Sequence, residues 1–203
     1  MNRAIGISFG VGLSAAAFLA ACATTQITAN WKDKSYGTHP EKIMVIGIAK
    51  KPENRRFIED EFVRRIKARG TVAFSAYTVL PDEKQSDNAV IAEKMKESGA
   101  DAVLIARLAD KRTVYNYVPG ADYPPFYCSW GDYYTYSCRE MYSPGYTEED
   151  QYAVMETNLY DAGKSNLVWS ASSNTEVLYS DQNFIKSYIE TMVKTMVEQK
   201  LLK

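Results

Sequence analysis

The run Lys-Ile-Met-Val-Ile-Gly-Ile-Ala-Lys at residues 42–50 decides how this chain folds. All the residues between the two lysines are apolar or glycine. A short, continuous apolar run bounded by charge is typical of a strand that is buried on both faces of a sheet. We therefore expect a strand here, in a sheet that is covered by helices.

A helix is predicted directly after this strand, over Asn54–Arg69, because apolar residues recur every four positions at Ile58, Phe62 and Ile66. The acidic residues of this segment lie mainly in its first half and most of the basic residues in its last turns. That order complements the helix dipole. We therefore interpret the charges as i,i+4 pairs on a solvated face, Asp60 with Arg64 and Glu61 with Arg65, and not as a nucleic-acid patch.

The same patterns extend along the rest of the chain and give the order β-α-β-α-β-β-β-α. The fold class expected is α/β (α+β), a mixed sheet covered by helices, with the last two strands forming a hairpin. The strands are expected at Val72–Leu80, Ala102–Ala106 with an exposed continuation to Tyr117, Gln151–Asp161 and from Leu167; the helices from Ser86 or Asp87 to about Glu97, and from Asp181 to Leu202.

The amino terminus has the features of a secretory signal. A positive start at Arg3 is followed by an uncharged apolar run and then by Leu-Ala-Ala-Cys at residues 19–22. These four residues resemble the lipobox of bacterial lipoproteins. The resemblance implies cleavage before Cys22, lipidation of its thiol and acylation of the new amino terminus. The alternative from composition alone is an uncleaved anchor, since residues 4–25 are long enough to span a bilayer.

The predicted domain division follows from this signal peptide and lipobox. Residues 1–21 are the signal peptide, residues 22–41 a lipidated tether without periodicity, and residues 42–203 a single α/β domain. Ala23, rather than Asp, follows the cysteine. In Gram-negative lipoproteins this resembles the pattern of proteins sorted to the outer membrane, facing the periplasm. Trp31 and Tyr36 either dock on the domain or sit exposed.

The order of the elements carries a second resemblance. The opening strand, the two βα steps, the hairpin Leu159-Tyr160-Asp161-Ala162-Gly163 into Leu167-Val168-Trp169-Ser170 and the closing helix resemble the small α/β domain of envelope lipoproteins of the CsgG-like, LpoB-like and TolB amino-terminal group. This group shares architecture and cellular location, not a catalytic site, so the resemblance implies no catalytic residue.

The segment at about 115–149 is rich in tyrosine and carries prolines and glycines that argue against regular structure. We expect a long loop there, which packs on itself and the sheet edge or serves as a contact surface. Tyrosine offers a large, fairly rigid area with a polar tip, which suits binding loops. The candidate binding residues are Tyr127, Trp130, Tyr133, Tyr134 and Tyr136.

Two cysteines, Cys128 and Cys138, flank the middle of this segment. Once Cys22 is lipidated they are the remaining pair, and outside the cytoplasm such a pair favours a disulfide over free thiols. A metal site is not expected, because further ligands are missing nearby. No cofactor is expected either.

Composition removes several function classes. The chain has 203 residues, 46% hydrophobic and 24% charged, with a net charge of −1 and one histidine. A nucleic-acid-binding protein would show a basic excess. His39 lies in the predicted tether, where it is poorly placed to act as a catalytic base. Paired carboxylates of the glycosidase kind stay open without geometry, but we expect a non-enzyme.

The sequence thus predicts a non-catalytic outer-membrane lipoprotein that acts as a scaffold or accessory in an envelope assembly. Its expected partners are the membrane, through the lipid anchor, and an envelope protein or cell-wall glycan; nucleic acid is not expected. The alternative is a glycan- or peptidoglycan-binding module that uses the aromatic segment, because aromatic side chains also stack on sugar rings. A hydrolase is the third hypothesis.

Overall fold

The computed structural model describes residues 25–37, 39–80, 87–119, 129–142, 145–177 and 180–203. They form a mixed α/β fold, as expected from the sequence. In chain order its elements are β1 Thr25–Lys32, β2 Lys42–Ile48, α1 Pro52–Lys67, β3 Val72–Ser75, a 3₁₀ turn Ala76–Thr78, α2 Asn88–Ser98, β4 Ala102–Val118, α3 Trp130–Tyr142, β5 Tyr146–Asp161, β6 Leu167–Glu176 and α4 Asp181–Glu198.

The six strands form one mixed sheet in the order β1-β6-β5-β4-β2-β3. The first strand identified in the sequence, β2, lies between β4 and β3 and runs parallel to both. The remaining neighbours pair in the antiparallel sense, including the expected hairpin of β5 and β6. Parallel neighbours explain why β2 is a continuous apolar run, since both of its faces are covered.

The larger core lies where α1 and α4 pack on one face of the sheet. Phe62 of α1 meets Tyr188 of α4 edge to face, with ring centroids 5.8 Å apart, and Trp169 of β6 is fully buried beneath them. A smaller core lies on the other face, where α2 covers β2, β3 and the start of β4. Of seven side chains that the predicted strands and helices place in the core, Ile105 is half-buried. The other six are buried: Ile46, Ile58, Phe62, Val103, Trp169 and Ile189.

The start of α2 predicted at Ser86 or Asp87 is confirmed at Asp87. Asp87 caps the helix, and its carboxylate accepts hydrogen bonds from the backbone N–H groups of Ala89 and Val90. Gly99 ends the helix with φ +65°, a left-handed conformation that suits glycine.

The prediction that residues 22–41 form a tether is wrong for the residues of this range that the structure describes. Residues 25–32 are the edge strand β1, paired antiparallel with β6. Ile27 and Tyr36 pack against the larger core, whereas Trp31 is half exposed. The strand escaped sequence analysis because most of its side chains are exposed, so it lacks a regular alternation of apolar and polar residues.

The prediction of a long loop at about 115–149 is also wrong for the residues of this range that the structure describes. β4 runs to Val118, β5 begins at Tyr146, and α3 lies between them. The strand pairing continues without a break from Asp110 opposite Val154 to Val118 opposite Tyr146. The exposed continuation of the predicted strand to Tyr117 is confirmed by β4. The start of β5 at Tyr146 and helix α3 were missed, because proline and glycine suggested irregular structure and an exposed strand that pairs through its backbone needs no apolar pattern.

The charged face of α1 also differs from its expected solvated form. Glu61 is buried and binds both Arg64 and Arg65, each at 2.6 Å, so the predicted Glu61–Arg65 pair is confirmed. Asp60, by contrast, accepts hydrogen bonds from the hydroxyl groups of Ser75 and Tyr77.

Candidate interaction surface

A two-stranded arm extends from one end of the sheet. The last hydrogen bond that holds its base to β6 runs from the Val177 N–H to the Gln151 carbonyl, at 2.8 Å. β2 ends earlier still, opposite Arg107. We call the structure formed by Thr113–Val118, Tyr146–Gln151 and α3 the aromatic arm. Among the described residues, its two strands pair with each other alone.

Exposed aromatic side chains occupy the outer part of the aromatic arm. On its strands, Tyr115, Tyr117 and Tyr146 expose 67%, 70% and 59% of their surfaces. Tyr117 lies so close to Gly145 that a Cβ on the glycine would overlap the phenol ring. An isolated two-stranded ribbon buries little surface of its own, so these aromatic residues contribute little to the core.

Charge is distributed unevenly along the strands of the aromatic arm. Glu149 and Asp150 lie in the half nearer to the sheet and Glu148 lies next to them, and Asn116 donates a hydrogen bond to Asp150 at 2.7 Å. The outer strand ends, Tyr117–Val118 and Gly145–Thr147, carry no charged side chain. The arm therefore changes from acidic near its base to aromatic and uncharged at the strand ends.

Helix α3 lies in the chain between the two outer strand ends. Its start is fixed by Ser129, whose hydroxyl accepts a hydrogen bond from the Asp132 N–H and donates one to the Asp132 carboxylate. The first of these bonds is a side-chain N-cap, which satisfies a backbone N–H group of the first turn. The first turns of the helix present exposed aromatic residues, with Trp130 at 85% exposure.

Three of the five predicted binding residues are therefore placed on the surface: Trp130, Tyr133 and Tyr134. Tyr136 lies in α3, but its side chain is outside the described residues, as is Tyr127 altogether. Cys22 and Cys128 also lie outside the described residues, and the side chain of Cys138 does too. The lipidation and disulfide predictions stay predictions.

Sequence analysis missed Tyr115, Tyr117 and Tyr146 as members of the surface. These three residues lie at the edges of the tyrosine-rich segment. Strand pairing places Tyr115 opposite Glu149, Tyr117 opposite Thr147, and Tyr146 opposite Val118. The alternation of tyrosine at 115 and 117 was the available signal, because residues two apart in a strand share a face.

A shallow groove of about 540 Å³ lies beside the base of the aromatic arm, on the sheet face opposite α4. Its lining is polar and comes from four strands: Gln26, Arg112, Val114, Asn116, Tyr152, Asn174 and Glu176. Nearby on the same face, Arg107 forms an ion pair with Glu156 at 2.5 Å. The described helices leave this part of the sheet uncovered.

One buried ion pair outside this surface has a structural role. Glu59 is fully buried, and its carboxylate accepts hydrogen bonds from Arg55 at 2.8 Å, from the Gly47 N–H at 3.1 Å and from the Tyr77 N–H at 2.8 Å. Burial raises the pKa of Glu59, against the lowering effect of these donors. The pair ties α1 to β2 and to the turn after β3.

Metal-ligating side chains are not brought together in the described part of the chain. There, no group of three or more His, Cys, Asp and Glu side chains is placed to hold a metal ion. His39 is exposed. The described helices also include none with the length and apolar character needed to cross a bilayer.

Comparison with known proteins gives structural neighbours only. No family model matches the chain, and no curated protein matches it. The fold is similar to the PelC dodecamer from Paraburkholderia phytofirmans, with a TM-score of 0.44 and 14% identity over 84% of this chain and 94% of that one. It is also similar to the lipoprotein GNA1162 from Neisseria meningitidis, with a TM-score of 0.42 and 16% identity over 79% of this chain and 98% of that one.

Proposed function

We propose that this chain is a non-catalytic, lipid-anchored accessory protein of the bacterial cell envelope, held on the periplasmic face of the outer membrane. One observation carries the proposal. The first described strand, β1, begins at Thr25, three positions after the lipobox cysteine, and the domain projects an arm of exposed aromatic side chains that its core does not use.

The arrangement favours a contact surface over a reaction centre. The exposed aromatic residues suit non-covalent binding, because each offers a large area at a low cost in conformational entropy. The buried carboxylate of Glu59 is occupied by hydrogen bonds that tie α1 to β2 and to the turn after β3. The domain therefore acts by holding a component of the envelope in place.

Acylation is tested first. Protein purified from the envelope in detergent is expected to begin at an acylated Cys22, and Cys22→Ser is expected to leave an unacylated precursor. Mass spectrometry of the amino-terminal peptide decides this. Wild-type envelope protein that retains Met1 would contradict the anchor.

The accessory role is tested by cross-linking in native envelopes. The wild-type chain is expected to capture a protein partner in stoichiometric yield, and Cys22→Ser, which is not anchored, is expected to lose that partner. Ala23→Ser serves as the control, since it leaves the cysteine in place. Retention on purified peptidoglycan without a protein partner would favour the glycan-binding alternative, and turnover abolished by one carboxylate substitution would identify a hydrolase.

A further inference from the structure

We propose that the aromatic arm rests on the lipid bilayer and fixes the orientation of the domain on the membrane. This inference rests on the proposed anchor at Cys22 and names the target of the exposed aromatic surface. It follows from three observations: where β1 begins, in which direction the arm points, and how its charges are distributed.

The start of β1 leaves a short connection to the membrane. Thr25 lies opposite Thr175, at the end of the sheet. Three residue steps lead from Cys22 to Thr25, and at about 3.5 Å per step they reach roughly 10 Å at most. An anchored domain must therefore hold the Thr25 end of its sheet within that distance of the lipid attachment.

The aromatic arm leaves the sheet at this same end. Thr175 lies opposite both Thr25 and Ala153, so Ala153 marks the level of Thr25 on β5. Tyr146 lies seven residues beyond Ala153, which at about 3.4 Å per residue is roughly 24 Å. The outer end of the arm thus extends roughly 14 Å further than the connection to Cys22 can reach.

This excess exceeds the depth of a headgroup layer, which is roughly 5–8 Å on each side of a bilayer. An upright domain therefore carries the outer end of the arm past the headgroups to the start of the acyl chains, and an inclined domain lays the arm along the interface. The opposite orientation is excluded, since the body of the sheet would then occupy the bilayer. In that orientation β1, which runs from Thr25 to Lys32, would lead from the lipid attachment into the bilayer.

The side chains of the arm match this position. Tyrosine and tryptophan are enriched where membranes meet water, because their rings are apolar and their tips polar. The outer strand ends carry Tyr117 and Tyr146 and no charge, and the acidic run Glu148–Asp150 begins two residues inside Tyr146. The acidic residues therefore limit how deeply the arm enters.

Tryptophan fluorescence tests the proposal, since the three tryptophans occupy different places. Trp130 is in the aromatic arm, Trp31 lies towards the far end of β1, and Trp169 is buried in the core. The acylated full-length mature protein is reconstituted in vesicles of phosphatidylethanolamine and phosphatidylglycerol, with or without lipids brominated near the top of the acyl chain. Trp31→Phe and Trp130→Phe form a matched pair, because both retain Trp169.

Brominated lipid is expected to remove most of the Trp130 emission in Trp31→Phe and to leave the emission of Trp130→Phe nearly unchanged. Equal quenching of the two variants would overturn the proposal, as would no quenching in either. A Trp130 signal that answers to peptidoglycan fragments but not to brominated lipid would overturn it in favour of a glycan site. Mass spectrometry of the same sample separates these outcomes from a failure of the anchor, which would appear as protein lacking acylated Cys22.

Discussion

The hydroxyl oxygens of Thr25 and Thr175 lie 3.0 Å apart, and this contact ties the first residue of β1 to β6. A second hydrogen bond of the same length joins Thr25 to Ser187 of α4. The amino-terminal end of β1 is thus held both to the sheet and to the helix above it. If Cys22 is the anchor, the domain is attached almost directly to the membrane and has little freedom to turn away from it.

The larger core should depend on its two buried aromatic residues, Phe62 and Trp169. Both are completely buried. Phe62→Ala and Trp169→Ala are each expected to lower the free energy of unfolding by about 3–5 kcal/mol, because each leaves a cavity between the sheet and the helices. Urea unfolding measures this. Val72→Thr, at an exposed position on β3, is the control and should stay within about 0.5 kcal/mol of the wild type; losses below about 1 kcal/mol at both aromatic sites would contradict the assignment.

The buried pair of Arg55 and Glu59 should be sensitive to loss of the carboxylate. Glu59→Leu is expected to destabilise the protein by about 3–5 kcal/mol, since it leaves a buried arginine without its counter-charge. It also removes the acceptor for the Gly47 and Tyr77 N–H groups. Glu59→Gln retains one carbonyl acceptor and should cost less. Equal unfolding midpoints for Glu59→Leu and the wild type in urea would show that the pair is dispensable.

The pH dependence of stability should carry a contribution from Glu61. Hydrogen bonding to Arg64, followed by that to Arg65, lowers the pKa of this carboxyl. A lowered folded-state pKa contributes stability above the unfolded-state pKa, about 4.3, and that contribution is lost as the pH falls through the folded-state value.

Glu61→Gln should therefore be less stable than the wild type at pH 7, by no more than about 1 kcal/mol because Arg64 is largely exposed. The difference should shrink when both proteins are unfolded in urea near pH 3. Glu53→Gln, in the first turn of the same helix, is the control. A difference that stays constant from pH 7 to pH 3 would rule out the carboxylate as its source.

The disulfide between Cys128 and Cys138 stays a prediction. Closing so short a loop should stabilise the protein by somewhat less than about 3 kcal/mol in the chain-entropy model. Replacing both cysteines by serine is expected to leave the α/β domain folded and anchored while weakening the contact made by the aromatic arm, because a less constrained segment loses more entropy on binding. Peptide mapping under non-reducing conditions decides the bridge, and free thiols at both positions in periplasmic protein would refute it.

The exposed residues of the aromatic arm show how much of this surface could be predicted from the sequence. Trp130, Tyr133 and Tyr134 were recognisable from composition, because tyrosine-rich segments suit binding. Tyr115 and Tyr146 could not be joined to them, since their place on one arm depends on pairing between residues 28 to 34 positions apart. No local pattern specifies such a register when both faces of the strands are exposed.

The sequence by itself determined the buried strands, the helices α1, α2 and α4 and the hairpin, because burial imposes apolar periodicity and the ends of α2 carry Asp87 and Gly99. It also provided the prediction that Cys22 is lipidated, because the lipobox is a local motif. Only the tertiary structure decided that residues 25–32 complete the sheet and that the tyrosine-rich segment is an arm. Edge strands and exposed ribbons are stabilised by backbone hydrogen bonds to distant residues, and these place few demands on side chains. The direction of the arm relative to Thr25 follows from strand register, which exists only once the sheet has formed.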